Sequence, residues 1–161
     1  FVFQPFIVSG ESMYPTFHNG DYLIVDELSY RFHEPRRGDV IVFRYPNDPK
    51  RFFIKRVIGL PGETLIFKDR AVYLKSTEHP EGELINEPYL KRITIPGEDK
   101  EVTVDPDHYF VMGDNRDESL DSRFWGFVNL KDVEGKAFII YWSWNREDHN
   151  LRWQRLGKLL H

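Results

Sequence analysis

No cysteine occurs among the 161 residues. That excludes a disulfide framework, a thiolate zinc site and a cysteine nucleophile. No apolar run approaches the roughly 18–20 residues that a membrane-spanning helix needs; the longest, at 137–142, has the length of a strand. Charge of one dominant sign is also missing. Twenty-two basic against 26 acidic side chains leave a formal charge of −4, so no nucleic-acid partner is expected. Repeats and low-complexity tracts are absent. The six histidines are scattered, with no spacing that would gather a metal, and neither metal nor cofactor is expected.

What is present suffices for a core: 40% of residues are hydrophobic and 16% aromatic. The length fits one domain, or one domain carrying an insertion. Short apolar stretches alternate with turn residues roughly every 8–12 positions, which implies an all-β, antiparallel, barrel-like domain with a few short helical turns. Strands are expected over 1–9, 22–25, 40–45, 51–59, 64–67, 71–74, 102–104, 108–112 and 136–144. Residues 40–45 and 51–59 should form one hairpin, 64–67 and 71–74 a second. Leu60-Pro61-Gly62-Glu63 has proline and glycine where a type II turn needs them. Residues 28–35 read as loop. From 75 to about 101 the pattern weakens, with three prolines and many charges, giving an exposed segment with one short strand at 92–95. Leucines 151, 156, 159 and 160 suggest a short terminal helix over 151–160. The expected division is a discontinuous β domain, 1–63 and 107–161, around an inserted β segment, 64–106. The chain opens on Phe1 within an apolar-aromatic run, which leads us to expect an upstream segment.

Three stretches carry chemistry. Gly10-Glu11-Ser12-Met13-Tyr14-Pro15-Thr16 holds a serine between flexible and rigid backbone at the end of a strand. Taken alone, Ser12 is either a turn cap or a nucleophile awaiting a base. Lys55 stands inside the apolar strand Phe52-Phe53-Ile54-Lys55-Arg56-Val57-Ile58, on the face of Phe53 and Val57 by alternation. Two fates are open to it. It snorkels to solvent, as most lysines do, or it is desolvated, and its pKa falls from about 10.4 toward the range of a general base. His108 with an aspartate would be a rival base, though no spacing favours it. The third stretch, Gly113-Asp114-Asn115-Arg116-Asp117-Glu118-Ser119-Leu120-Asp121-Ser122-Arg123, fails the EF-hand pattern. Arg116 falls on a ligand position, and Trp125 stands where a bidentate glutamate belongs.

Together these stretches resemble the bacterial type I signal peptidases (leader peptidases), membrane-bound serine proteases of the Ser-Lys class. GESMYPT is similar to the family's nucleophile box, RGDVIVF to the next strand box, FIKRVIGLPGE to the lysine box and GDNRDESLDSRFWGFV to the last box, in the family's order. The resemblance implies Ser12 as nucleophile, with its backbone N–H in the oxyanion hole, Lys55 as general base and Ser119 as the hydroxyl that orients the lysine. Asp121 and Arg123 match a supporting ion pair. The family's substrate groove maps onto Phe6, Val8, Ser9, Gly10, Met13, Phe17, Leu23, Val42, Phe53 and Ile54. Some members carry a serine hydroxyl donor two residues before the nucleophile, where this chain has Gly10.

The implied activity is removal of signal peptides from exported preproteins, with small residues at the first and third positions before the cut. The implied setting is the outer face of the bacterial cytoplasmic membrane, periplasmic in a Gram-negative cell. An upstream transmembrane anchor and contact with the membrane surface go with it. Two other readings stand beside this one: a self-cleaving repressor that also uses a Ser-Lys pair, and a non-catalytic peptide-binding β domain.

Overall fold

The computed structural model describes residues 3–91, 99–145 and 150–159. Thirteen strands are present among them: β1 Phe3–Ile7, β2 Asp21–Asp26, β3 Val40–Tyr45, β4 Asp48–Gly59, β5 Thr64–Lys68, β6 Ala71–Lys75, β7 Glu83–Leu84, β8 Lys100–Thr103, β9 His108–Met112, β10 Val128–Asn129, β11 Val133–Asn145, β12 Asn150–Leu151 and β13 Lys158–Leu159. Two single-turn helices, α1 Ser29–Phe32 and α2 Ser122–Trp125, complete the framework with short 3-10 turns.

The strands form two antiparallel sheets. The larger runs β1-β2-β11-β3-β4-β9-β10, with β12 and β13 paired to β11; the smaller runs β7-β6-β5-β8. Burial follows the sequence pattern. In β3 the run Val40–Phe43 is covered on both faces, whereas β2 alternates, turning Asp21, Leu23 and Val25 inward. One core cluster joins Val8, Met13, Phe17 and Leu23 to Val40, Ala137 and Ile140. A second gathers Ile41, Phe43, Val57, Tyr109, Val111 and Val128. A third, built on Ile58, Leu65, Phe67, Val72, Val104, Phe110 and Met112, joins the two sheets.

Gly59 sits where those sheets meet. A Cβ there would fall 2.9 Å from Leu65 Cδ1 and 3.1 Å from Phe110 Cβ, so only a bare backbone lets β4 pass.

The first half of β4 pairs with β3 on one side only, because β9 takes up β4 from Arg56 onward. The free edge of β4 faces β1 across an open groove, with the Phe6 and Phe52 rings edge to face at 5.5 Å. This groove leads to Ser12.

Both expected hairpins form, in register Val42↔Ile54 and Ile66↔Tyr73. The 60–63 turn also forms, with Glu63 N–H donating to Leu60 O at 3.1 Å and Gly62 at φ 77°. Two expectations need correction. Residues 28–35 contain the single turn α1, capped by Asp26, whose carboxylate accepts from the Leu28 and Ser29 N–H groups. Residues 151–160 do not form a helix: the described part runs β12, one 3-10 turn at Trp153–Arg155, then β13. Pairing to β11 offers that backbone partners, and Gly157 at φ 73° reverses the chain between them. The segment after 75 carries β7 at Glu83–Leu84, while the strand expected at 92–95 lies outside the described residues.

The β5–β6 turn is a two-residue loop in which Asp69 and Arg70 take φ of 51° and 61°. Side chains make that conformation costly, and glycine does not. The double substitution Asp69→Asn/Arg70→Gly should raise stability by about 1 kcal/mol, read as a higher urea midpoint at unchanged m-value.

Candidate active site

Ser12 follows β1 in a tight turn. Tyr14 N–H donates to Glu11 O at 3.0 Å and Phe17 N–H to Met13 O at 2.9 Å. Gly10 is dictated by backbone, since its φ is 89° although nothing lies within 4 Å of where a Cβ would sit. Its N–H is spent on Asn19 Oδ1 at 3.2 Å, and the Glu11 carboxylate accepts from Asn19 N–H at 3.3 Å. Glu11 therefore pins the loop before Ser12. The Ser12 N–H has no acceptor among the described residues.

β4 delivers Lys55. Its Nζ lies 2.7 Å from Ser12 Oγ and donates to Ile54 O at 2.9 Å, with the Phe53 ring centroid 5.4 Å away. Lys55 is only 4% exposed. Burial strips water from the ammonium and lowers its pKa to about 8, against the opposing pull of Asp121 and Asp114. In the ammonium form Nζ donates to Ser12 Oγ. In the neutral form the hydroxyl donates to the amine, the arrangement that activates an alcohol.

The third stretch wraps behind this pair. Asn115 N–H donates to Ser12 O at 2.9 Å and its Nδ2 to Glu11 O at 3.1 Å. Asp114, 4% exposed, receives both arms of Arg56 at 2.9 and 2.7 Å and the Thr16 hydroxyl at 2.5 Å. The fully buried Asp121 accepts from Arg123 at 2.8 and 2.9 Å and from Gly113 N–H at 3.0 Å, and it caps α2. Arg123 also donates to Arg116 O at 2.7 Å, closing the loop on itself. Ser119 is buried, with no hydrogen-bond partner for its Oγ among the described residues.

Residues after β7 support this loop. The Glu87 carboxylate takes both arms of buried Arg116, at 3.1 and 2.5 Å, and the Tyr89 hydroxyl donates to Glu87 at 2.7 Å. The Arg56 guanidinium lies 3.8 Å from the Tyr89 ring centroid.

The groove has a volume of about 390 Å3 and ends at Ser12 and Lys55. Of the expected lining residues, Phe6, Val8, Ser9, Gly10, Leu23, Val42, Phe53 and Ile54 face it, joined by Ile7, Arg51, Phe52, Glu118 and Leu120. Met13 and Phe17 do not; they are packed in the core with Val8 and Leu23. His108 is not on the groove, its ring being bonded to Pro106 O at 2.7 Å and to the Asn129 side chain at 3.2 Å. Among the described residues no group of three or more His, Asp or Glu is placed to hold a metal ion. Asn115, Arg56 and the Glu87–Tyr89 pair were not singled out from sequence. Their signals are ordinary polar and charged side chains in a loop.

Because the folded state lowers the Lys55 pKa from 10.5 to about 8, its ammonium form costs the fold about 3 kcal/mol below pH 8. The cost disappears as pH rises past 10.5, where the amine is neutral in both states. Lys55→Met should therefore be more stable than the parent at pH 7, with the gap closing toward pH 10.5, in urea melts across pH. Gly113→Ala should lower turnover by about 100-fold or more. Its Cβ would fall 2.2 Å from Ser119 Oγ and 2.4 Å from Ser12 O, pushing both off position, as steady-state kinetics on folded protein would show.

The family model described as signal peptidase, peptidase S26, matches residues 1–142. Signal peptidase I of Bacillus caldolyticus is 39% identical over 159 residues, spanning 91% of this chain and 83% of that protein. Signal peptidase I of Pseudomonas aeruginosa is 34% identical over 188 residues, spanning 89% of this chain and 66% of that longer protein. The crystal structure of a signal peptidase I from Enterococcus faecalis V583 superposes with a TM-score of 0.54 at 34% identity, over 65% of this chain and 97% of that one. Family-wide match, relatives and fold agree: the chain belongs to the signal peptidase family, peptidase S26.

Proposed function

We propose that the protein is a serine endopeptidase that cleaves N-terminal signal peptides from exported preproteins with a Ser12–Lys55 dyad. The observation that carries this reading is the 2.7 Å approach of a buried, pKa-lowered lysine to a serine at the end of a peptide-sized groove. A peptide lying beside β1 and the free edge of β4 exchanges main-chain hydrogen bonds with them and brings its scissile carbonyl to Ser12. Neutral Lys55 takes the hydroxyl proton as Ser12 Oγ bonds to the carbonyl carbon. The Ser12 N–H steadies the oxyanion, and the lysine ammonium then protonates the departing amine. Lys55 next deprotonates a water that releases the acyl group. Ser119, orphaned and buried behind the dyad, is assigned the orienting role, and Asp121 with Arg123 the structural one.

Val8, Leu23 and Val42 floor the groove with 4%, 1% and 2% exposure, leaving shallow apolar pockets that suit small side chains before the cut. We place the domain at the outer face of the cytoplasmic membrane, anchored by an upstream segment. Among the described residues no helix is long and apolar enough to cross a bilayer. Exposed Phe32, Phe124 and Trp153 are rings of the kind that rest at a lipid interface.

Ser12→Ala, Lys55→Ala and Lys55→Arg should each lower preprotein cleavage by at least about 1,000-fold with the fold retained, because arginine fills the site without giving up its proton. In the parent, kcat/KM should climb with pH through a limb near 8, since the working form is the free amine. Should that limb instead vanish in His108→Ala, the lysine is not the base.

A further inference from the structure

Asp21 has no solvent exposure, although it stands on the inward register of β2 with Leu23 and Val25. A carboxylate in that position requires partners. One is local, the His18 N–H donating to Oδ2 at 2.9 Å; the side-chain partners come from beyond the residues that the family model matches, which end at 142. Arg155 Nη2 donates to Asp21 Oδ2 at 2.8 Å, Ser143 Oγ donates to Oδ1 at 2.5 Å, and an Arg152 guanidinium nitrogen lies 3.7 Å from Oδ1. The same Arg155 nitrogen donates to Thr16 O at 2.8 Å. Thr16 belongs to the turn that Ser12 opens, and its hydroxyl is already held by Asp114. Arg155 is fixed in turn by the strand β11, through Arg152 N–H to Ser143 O and Gly157 N–H to Ile140 O, both 2.9 Å.

The nucleophile turn is thus gripped at two carbonyls, Ser12 O by Asn115 and Thr16 O by Arg155. We propose that Arg155 is a positioning residue for Ser12, and that residues 150–159 clamp the nucleophile turn through its contacts with Thr16 O and Asp21. The proposal rests on Ser12 being the nucleophile. A planar guanidinium can bridge a carboxylate and a carbonyl on separate segments in fixed geometry, which a flexible ammonium does poorly. A displacement of about 1 Å at a nucleophile is enough to lose about 100-fold in rate.

A purely structural role, in which Arg155 only neutralises Asp21, makes a different forecast. The test compares Arg155→Met with Asp21→Asn/Arg155→Met, which removes both charges of that pair and leaves only the part-exposed Arg152 guanidinium beside them. In the folded double variant, kcat for a preprotein should fall about 10- to 100-fold at unchanged KM. The pH limb should stay near 8, because Lys55 remains buried. Methylguanidinium at millimolar concentration should raise kcat of Arg155→Ala, whose truncated side chain leaves room for it. Parental kcat in the folded double variant, a loss that tracks only the unfolded fraction, or a limb shifted to the range of a free lysine each overturns the clamp. Ser12→Ala and Lys55→Ala run alongside. If those retain cleavage, the dyad reading fails; if they abolish it while the Arg155 variants keep parental kcat, only the clamp does.

Discussion

The structure depends on keeping water away from one amine. In the proposed dyad Lys55 can act as a base only while its ammonium form is disfavoured, and the disfavour is supplied by surroundings rather than by any single partner. The Phe53 ring, the backbone of β4 and the loop carrying Ser119 together exclude solvent. Two carboxylates, Asp121 and Asp114, would undo the effect if left free, since both pull the lysine toward its charged form. Each is instead held in a bidentate pair, with Arg123 and Arg56 respectively. Pairing neutralises a nearby negative charge without moving it, so the ion pairs do electrostatic as well as mechanical service.

The second requirement is a hydroxyl that stays within reach of that amine. The turn from Ser12 to Phe17 has little apolar weight of its own beyond Met13 and Phe17, which are its roots in the core. Its remaining order comes from polar contacts arriving from distant parts of the chain: Asn19 and Asn115 at Glu11, Asn115 at Ser12, Asp114 and Arg155 at Thr16. This division suits a catalytic loop, which needs precise placement but must leave one face open to substrate.

The longer strands of the larger sheet were legible because their apolar residues follow a period of two or run unbroken, as in 40–43 and 109–112; the two-residue strands β10, β12 and β13 were not. The Ser12 and Lys55 stretches were legible for a related reason: each breaks a local rule, a polar residue in an apolar strand or a glycine-serine-proline turn at a strand end. The terminal helix was misread because four leucines at mixed spacing look amphipathic. Position 157, a glycine that reverses the chain, outweighs them. Met13 and Phe17 were assigned to the groove by resemblance, and the structure places them in the core cluster with Val8 and Leu23, away from the groove lining. Arg56, Glu87 and Asn115 could not be picked out, since nothing local distinguishes a charged residue that closes a buried pair from one that faces water.

The stretch from 75 to 91 looks like decoration when read from its composition, and the smaller sheet does stand apart in topology. Its residues Glu87 and Tyr89 nevertheless cover two guanidiniums, those of Arg116 and Arg56, that belong to the loop and strand around the dyad. Shortening the chain here is therefore not free of consequence. The stretch between β6 and Glu87 carries β7 and the core contact of Ile85, and a deletion reaching Glu87 would leave the buried Arg116 guanidinium without its carboxylate. Those contacts, more than the edge of the smaller sheet, tie this segment to the surroundings of Ser12 and Lys55.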